Sequence, residues 1–209
     1  MQNITIPLPD SFWLNDQLRD YANPRAKIAG MERRKELIRL KRGLYITRDA
    51  ADHHFPGGCI ANRLYGPSYV SFAYALRLYN LIPEFVPNVT SATTGKHRTK
   101  RFVTPVGVFF YRDVPAPVFH RALTFRNEAG ARFLVATPEK ALCDELSTVG
   151  SIRTVRTLEQ LLFDNLRLDR ERLRQLAPRE ILALAPLYKS TTVDTFNRFM
   201  GSFTSEKRA

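Results

Sequence analysis

The side chains with the clearest chemical bias in this chain are its cations, and they come in groups. Positions 25 to 48 hold Arg25, Lys27, Arg33, Arg34, Lys35, Arg39, Lys41, Arg42 and Arg48 against only Glu32 and Glu36, nine bases to two acids and a local excess of +7. A second knot, Lys96-His97-Arg98-Thr99-Lys100-Arg101, places four Lys/Arg in six residues. A third, looser group (Arg167, Arg170, Arg172, Arg174, Arg179) is diluted by Asp164, Asp169, Glu171 and Glu180 and reads as a solvated helix face. Ammonium and guanidinium groups at this density suit phosphate: each phosphate neutralised releases condensed counterions, and the arginine fork also matches the guanine edge. Over all 209 residues, 32 Lys+Arg stand against 20 Asp+Glu, a net +12 that calls for an anionic partner, double-stranded DNA first.

Other chemistries lack the necessary spacing. His53 and His54 adjoin in a Gly/Pro loop, His97 lies in the basic knot and His120 follows Phe119, so none has the i, i+4 or carboxylate spacing of a metal ligand. No metal and no cofactor is expected. Cys59 and Cys143 form no CxxC pair and read as buried thiols, not as a disulfide framework or zinc module. Cys143 adjoins Asp144, which disfavours a thiolate, and no Gly-x-Ser-x-Gly elbow is present. Glu139, Asp144 and Glu145 could hold magnesium for a nuclease. On one stretch of helix they more simply complement the macrodipole near its start and face water. The expectation is a protein without catalytic residues. Phe and Tyr through residues 69–125 read as core, since they do not interleave with basic residues in strand register, which leaves single-stranded RNA as a third choice of partner.

The elements that must carry the cations can be read from periodicity. Leu14, Leu18 and Tyr21 fall at i, i+4 and i+7 behind a Ser11 cap, predicting a short amphipathic helix that stops at Asn23-Pro24. Asn23 can cap a second helix with Pro24 at its first position, where the missing N–H costs nothing. On that helix Pro24, Ile28 and Met31 share the inner face, while Ala26, Ala29, Gly30 and Arg33 fall outward, flanked by Lys27 and Arg34. Leu37-Ile38-Arg39-Leu40, a Lys41-Arg42-Gly43 turn and Leu44-Tyr45-Ile46 then predict a hairpin with a cationic tip. Two helices, a tight turn and a basic hairpin are the recipe of a winged helix-turn-helix, in which small side chains let the second helix approach a groove about 12 Å wide. The plainer reading is a solvated basic helix beside a hairpin in a larger core.

Turn signals across residues 49–67 divide the chain into a head, 1–48, a linker, 49–59, and a larger domain, 60–209. In the latter, a helix is expected over Ser71–Tyr79 and strands over 89–94, 101–103, 106–111, 123–126 and 132–136, making a mixed, mostly antiparallel sheet. Thr137-Pro138-Glu139 introduces a helix to about Leu146, and the tail is helical, broken into short rods by Pro178 and Pro186. The fold class is therefore α+β. No apolar run approaches the roughly 18 residues of a membrane span, and Met1–Asp10 lacks the charge and apolar pattern of a leader, so a cytoplasmic protein with no membrane partner is expected. The basic loop 96–101 reads either as a second DNA contact or as a hairpin end kept soluble by its lysines.

The stretch Tyr21-Ala22-Asn23-Pro24-Arg25-Ala26-Lys27-Ile28, followed by Glu36 through Tyr45, resembles the winged-helix head of the AbiEi antitoxin family. Tyr65 to Ser71, Leu81 to Glu84, Val89 to Gly95, Thr104 to Gly107 and Ala136 to Leu142 are similar to its successive blocks, in family order from about residue 12 to 146. The resemblance implies a bacterial type IV antitoxin and transcriptional repressor of a phage-defence system. Such a protein binds inverted repeats at its own promoter and counteracts a nucleotidyltransferase-like toxin, generally without a stable complex. The alternatives are an interaction protein that neutralises its toxin by direct binding, or an orphan regulator. Two departures stand out: Lys35 replaces the glycine that usually ends the family's recognition helix, and only Met1 to Asp10 remains to supply the extra helix that often precedes the first two.

Overall fold

The computed structural model describes residues 6–205; the ends of both expected domains, and half of the segment Met1–Asp10, lie outside the described residues. The head consists of α1 (Ser11–Gln17), α2 (Pro24–Arg33), β1 (Leu37–Lys41) and β2 (Leu44–Thr47). The α1 cap is Asp10, whose carboxylate accepts the Trp13 N–H, and not Ser11. Tyr21 lies beyond the end of α1 and is 40% exposed, so it does not extend the inner face. Leu14, Leu18, Ile28, Met31, Leu37 and Tyr45 close a small core of their own under Trp13. The other face of the hairpin, Leu40, Leu44 and Ile46, joins the main core instead.

The stretch 49–59 is occupied by α3 (Arg48–Asp52) and the first turn of α4 (Gly57–Leu64), with Ala50 and Cys59 buried. There follow β3 (Tyr69–Val70), α5 (Phe72–Leu78), β4 (Val89–Thr93), β5 (Lys100–Thr104), β6 (Gly107–Asp113), α6 (Ala116–Phe119), β7 (Leu123–Glu128), β8 (Ala131–Ala136) and α7 (Pro138–Ser147). The tail is α8 (Val155–Glu159), which runs on into a π-helical turn over Gln160–Asn165, then α9 (Arg170–Arg174), α10 (Pro178–Tyr188) and α11 (Thr191–Ser205). Among the described residues no helix is long and apolar enough to cross a membrane.

The main sheet is mixed and runs β5-β6-β4-β3-β8-β7. Its parallel joints are β4 with β6 and β3 with β8; the other three are antiparallel. The two residues of β3 hold the centre, and such a strand is too short to show any alternation in sequence. Beyond its reach the Asn62 amide takes over, accepting from Leu134 N–H at 2.7 Å and donating to its carbonyl at 3.4 Å. α4 can lie this close to the sheet because its first two residues lack side chains: a Cβ at Gly58 would fall 2.4 Å from the Phe133 ring, and one at Gly57 2.8 Å from Val89. The expected break at Pro186 does not occur. That proline sits in the last turn of α10, where it removes one helix bond, and the helix ends at Lys189 in the left-handed region.

The acids of α7 do not face water as expected. Glu139 is buried and its carboxylate accepts the Ala177 N–H at 2.9 Å, seating the start of α10. Asp144 is fully buried. One of its oxygens accepts from Lys140 Nζ at 2.6 Å and the Tyr188 hydroxyl at 2.6 Å, the other from the Ser71 hydroxyl at 2.6 Å and the Tyr69 hydroxyl at 3.1 Å. Glu145 is mostly buried too, and burial pushes its carboxyl above the ordinary range. Helical spacing places these acids one after another around α7, but only tertiary packing from α5 and α10 covers the side they occupy. Both cysteines are free, buried thiols, and burial raises both.

Asp144→Asn removes the charge that balances a buried ammonium, and breaking a buried pair by one partner costs about 3–5 kcal/mol. Urea unfolding is expected to show a loss of that size, and Tyr188→Phe, which deletes the bond donated to Asp144 and the one accepted from Lys140 at 2.8 Å, a loss of about 2–3 kcal/mol.

Candidate nucleic-acid interface

α2 begins as its sequence predicts: the Asn23 side chain accepts the Ala26 N–H at 3.0 Å and Pro24 follows in the first turn. Arg25, Ala26, Ala29 and Arg33 are exposed along one face, opposite buried Ile28 and Met31. Gly30 departs from the expected outward position. It is buried, and a Cβ there would lie 3.3 Å from the Arg34 guanidinium that crosses it.

The helix ends at Arg33, two residues short of carrying Lys35 into the core. Lys35 is exposed with φ +58°, its N–H donates to the Glu32 carbonyl and the Glu36 N–H to that of Met31, each at 3.0 Å. These two bonds form a Schellman motif whose left-handed position suits glycine best. A lysine in this position keeps the helix end and strains it, while adding a cation to the exposed side.

The cations of the head fall into two sets. Arg34 is held by Glu36 through two bonds of 2.6 and 3.2 Å, and Arg39 by Glu32 through bonds of 2.8 and 2.7 Å. Both guanidinium groups are raised above their ordinary value by hydrogen bonding to the glutamate. Lys41 turns away from solvent and donates to the Leu64 carbonyl at 2.7 Å, and the Lys27 ammonium lies 4.7 Å from the centre of the Tyr21 ring. The expected cationic hairpin tip is thus reduced to Arg42, because Arg39 and Lys41 are engaged within the protein. Arg25, Arg33, Lys35 and Arg42 are exposed with no carboxylate partner among the described residues. They form the second set.

The hairpin is anchored to the body instead of projecting. Gly43, at φ +78°, makes the turn possible; its carbonyl accepts the Ser11 N–H at 2.9 Å, Arg63 reaches Asp10 at 3.1 Å, and β1 packs beside β5. β5 is an edge strand and begins within the second basic knot. Lys96 lies over the Tyr65 ring at 5.5 Å, Lys100 over Phe102 at 5.4 Å and Arg101 over Phe110 at 5.7 Å, with Arg98 exposed between them. Tyr65 directly follows Leu64, the acceptor for Lys41. Two knots more than fifty positions apart in sequence consequently meet around the end of α4.

Sequence reasoning missed the residue that shapes the second knot. One Asp113 oxygen accepts the Lys96 and His97 N–H groups, each at 2.6 Å, and the other accepts the Thr93 hydroxyl at 2.6 Å. Burial pushes this carboxyl up, but the bonds from Thr93, His97 and Lys96 outweigh it and hold the group below its ordinary value. A turn with two bare N–H groups after Thr-Thr-Gly needs an acceptor, and that need was the available signal; which acid meets it is set by β4–β6 pairing, which puts Thr93 opposite Asp113. Among the described residues no group of three or more His, Cys, Asp or Glu is placed to hold a metal ion. Comparison with protein-family models and with curated proteins gives no match to this chain.

Two measurements probe these ends. Lys35→Gly relieves a left-handed residue and is expected to raise stability by about 1 kcal/mol in urea unfolding. Asp113→Asn should speed hydrogen exchange of the Lys96 and His97 amides by about tenfold or more, since bonds to a charged group are worth about 1.5–3 kcal/mol. With the folded carboxyl lowered, the wild-type protection is complete above the ordinary carboxylate range and disappears as pH falls through the folded value.

Proposed function

We propose that the chain is a duplex-DNA-binding transcriptional repressor whose first 48 residues work as a winged helix-turn-helix. The observation that carries this reading is the outward face of α2, where Arg25 and Arg33 flank the small side chains of Ala26 and Ala29 and meet no acid among the described residues. Small residues permit close approach to a groove, and arginines at that distance reach phosphates and base edges. Lys35 and Arg42 add phosphate contacts, as do Lys96, Arg98, Lys100 and Arg101 beside the hairpin. Arg34 and Arg39, already paired with glutamates, contribute less.

The mechanism is occupancy: the bound protein blocks polymerase at its own promoter. On the resemblance to the AbiEi family, the reading extends to a bacterial type IV antitoxin whose second domain opposes a nucleotidyltransferase-like toxin. A nucleotidyltransferase gene beside this one supports that extension, and a stable stoichiometric complex of the two proteins in size-exclusion chromatography favours direct neutralisation in its place.

Gel shifts on the DNA upstream of the gene test the head. Arg33→Ala is expected to weaken binding by roughly 1–3 kcal/mol and to relax sequence preference, whereas Arg42→Ala weakens all DNA alike. Arg39→Ala should change little. Charge reversal at Lys100 and Arg101 flattens the dependence of affinity on salt if that edge touches phosphate. Wild-type affinity in both the Arg33 and Arg42 variants refutes the assignment.

A further inference from the structure

A cleft of about 610 Å³ opens where the head meets the body. Its accessible apolar lining includes Ile38 of the hairpin, Ala51 of α3, Phe55, and Val106 and Val108 at the β5–β6 end of the sheet; Ile46, Val89 and Phe109 also border it but are buried. Its polar lining includes Arg48 and His54. Small-molecule sites occupy roughly 300–1,000 Å³, concentrate at junctions between packed units, and combine apolar walls with a few polar groups.

The charges indicate the sign of the occupant. Arg48 is held by Asp52 at 2.7 Å, and both side chains are more than half exposed. An exposed pair of this kind is worth at most about 1 kcal/mol, so an incoming anion can displace Asp52 at little cost. Asp52 is the one carboxylate among the lining residues described, on a chain of net charge +12. A cation would meet that single acid against an unfavourable overall field.

We propose that this cleft binds a small organic anion, a single carboxylate or sulfonate on an aromatic or branched apolar body. The anionic group takes Arg48, and the apolar body lies against Ile38, Phe55 and Val106. Such a ligand touches the head and the body together, so its occupancy adds to the contacts that hold the head beside the second basic knot and changes affinity for DNA. This regulatory half rests on the DNA-binding reading; the binding half does not.

The test titrates the full chain, without DNA, with 8-anilinonaphthalene-1-sulfonate, whose emission rises on entering an apolar site. One saturable site is expected. Ala51→Trp fills the cleft from α3 and abolishes the signal; Val106→Trp does so from the β5–β6 turn should the first variant fail to fold, as judged by circular dichroism. Asp52→Asn, which releases Arg48, tightens binding several-fold, and Arg48→Gln weakens it by about tenfold, the scale of a lost charge-assisted bond. No saturable binding, or equal binding in wild type and every folded variant, overturns the site. Gel shifts with and without saturating probe then test the coupling: an affinity change absent from the filled variant is expected, and an unchanged affinity overturns regulation while leaving the site. If the chain binds the probe but no DNA, the repressor reading fails and the ligand site stands.

Discussion

A single buried carboxylate organises the body of this protein. Asp144 accepts hydrogen bonds from Lys140, Tyr188, Tyr69 and Ser71, and in doing so ties α7 to α10, to the central strand β3 and to the start of α5. Burial lowers the Lys140 ammonium, and attraction to Asp144 opposes that fall. Burial also raises the Tyr69 and Tyr188 hydroxyls, with the Asp144 charge adding to it, which keeps both as donors. Exchanging such a cluster for apolar side chains can be neutral in stability; what it supplies is direction, because an ion pair with four donors satisfied has one arrangement and an apolar contact has many.

The candidate interface depends on that arrangement through a chain of rigid contacts. β3 is only two residues long, yet it joins the β4–β6–β5 half of the sheet to the β8–β7 half. α4 rests on this sheet through Gly57 and Gly58, with the Tyr111 hydroxyl donating to the Ala61 carbonyl at 2.8 Å. The end of α4 in turn receives Lys41 from the head and Lys96 from the sheet edge. The relation of head to body is thus set by buried packing, by the shared Leu40, Leu44 and Ile46 contacts, and by directional bonds at Leu64 and Asp10, and not by a free linker.

Charge counting along the chain overstates what the head presents to a partner. The excess of seven includes Arg34 and Arg39, which close on Glu36 and Glu32, Lys41, which donates to a carbonyl, and Arg48, which is held by Asp52. The cations left unpaired are concentrated at the outward face and end of α2 and at the hairpin turn. Net charge sets long-range attraction, whereas specificity depends on which guanidinium groups remain unengaged.

Local signals in the sequence determined the helix caps at Asn23 and Thr137, the hairpin, all five long strands to within two residues, and the inner and outer faces of α2 apart from Gly30. These follow from interactions within a few positions, where residue type and spacing are sufficient. The glycine-free end of α2 could also be suspected from Lys35, since a lysine continuing the helix would have faced the core. Only the tertiary structure decided that the acids of α7 are buried, that β3 exists, that the stretch 49–59 carries α3 and the start of α4 with Ala50 and Cys59 buried, and that the two basic knots adjoin. Each of these depends on surfaces brought together from distant parts of the chain, and burial, unlike periodicity, is a property of what covers a residue and not of the residues beside it.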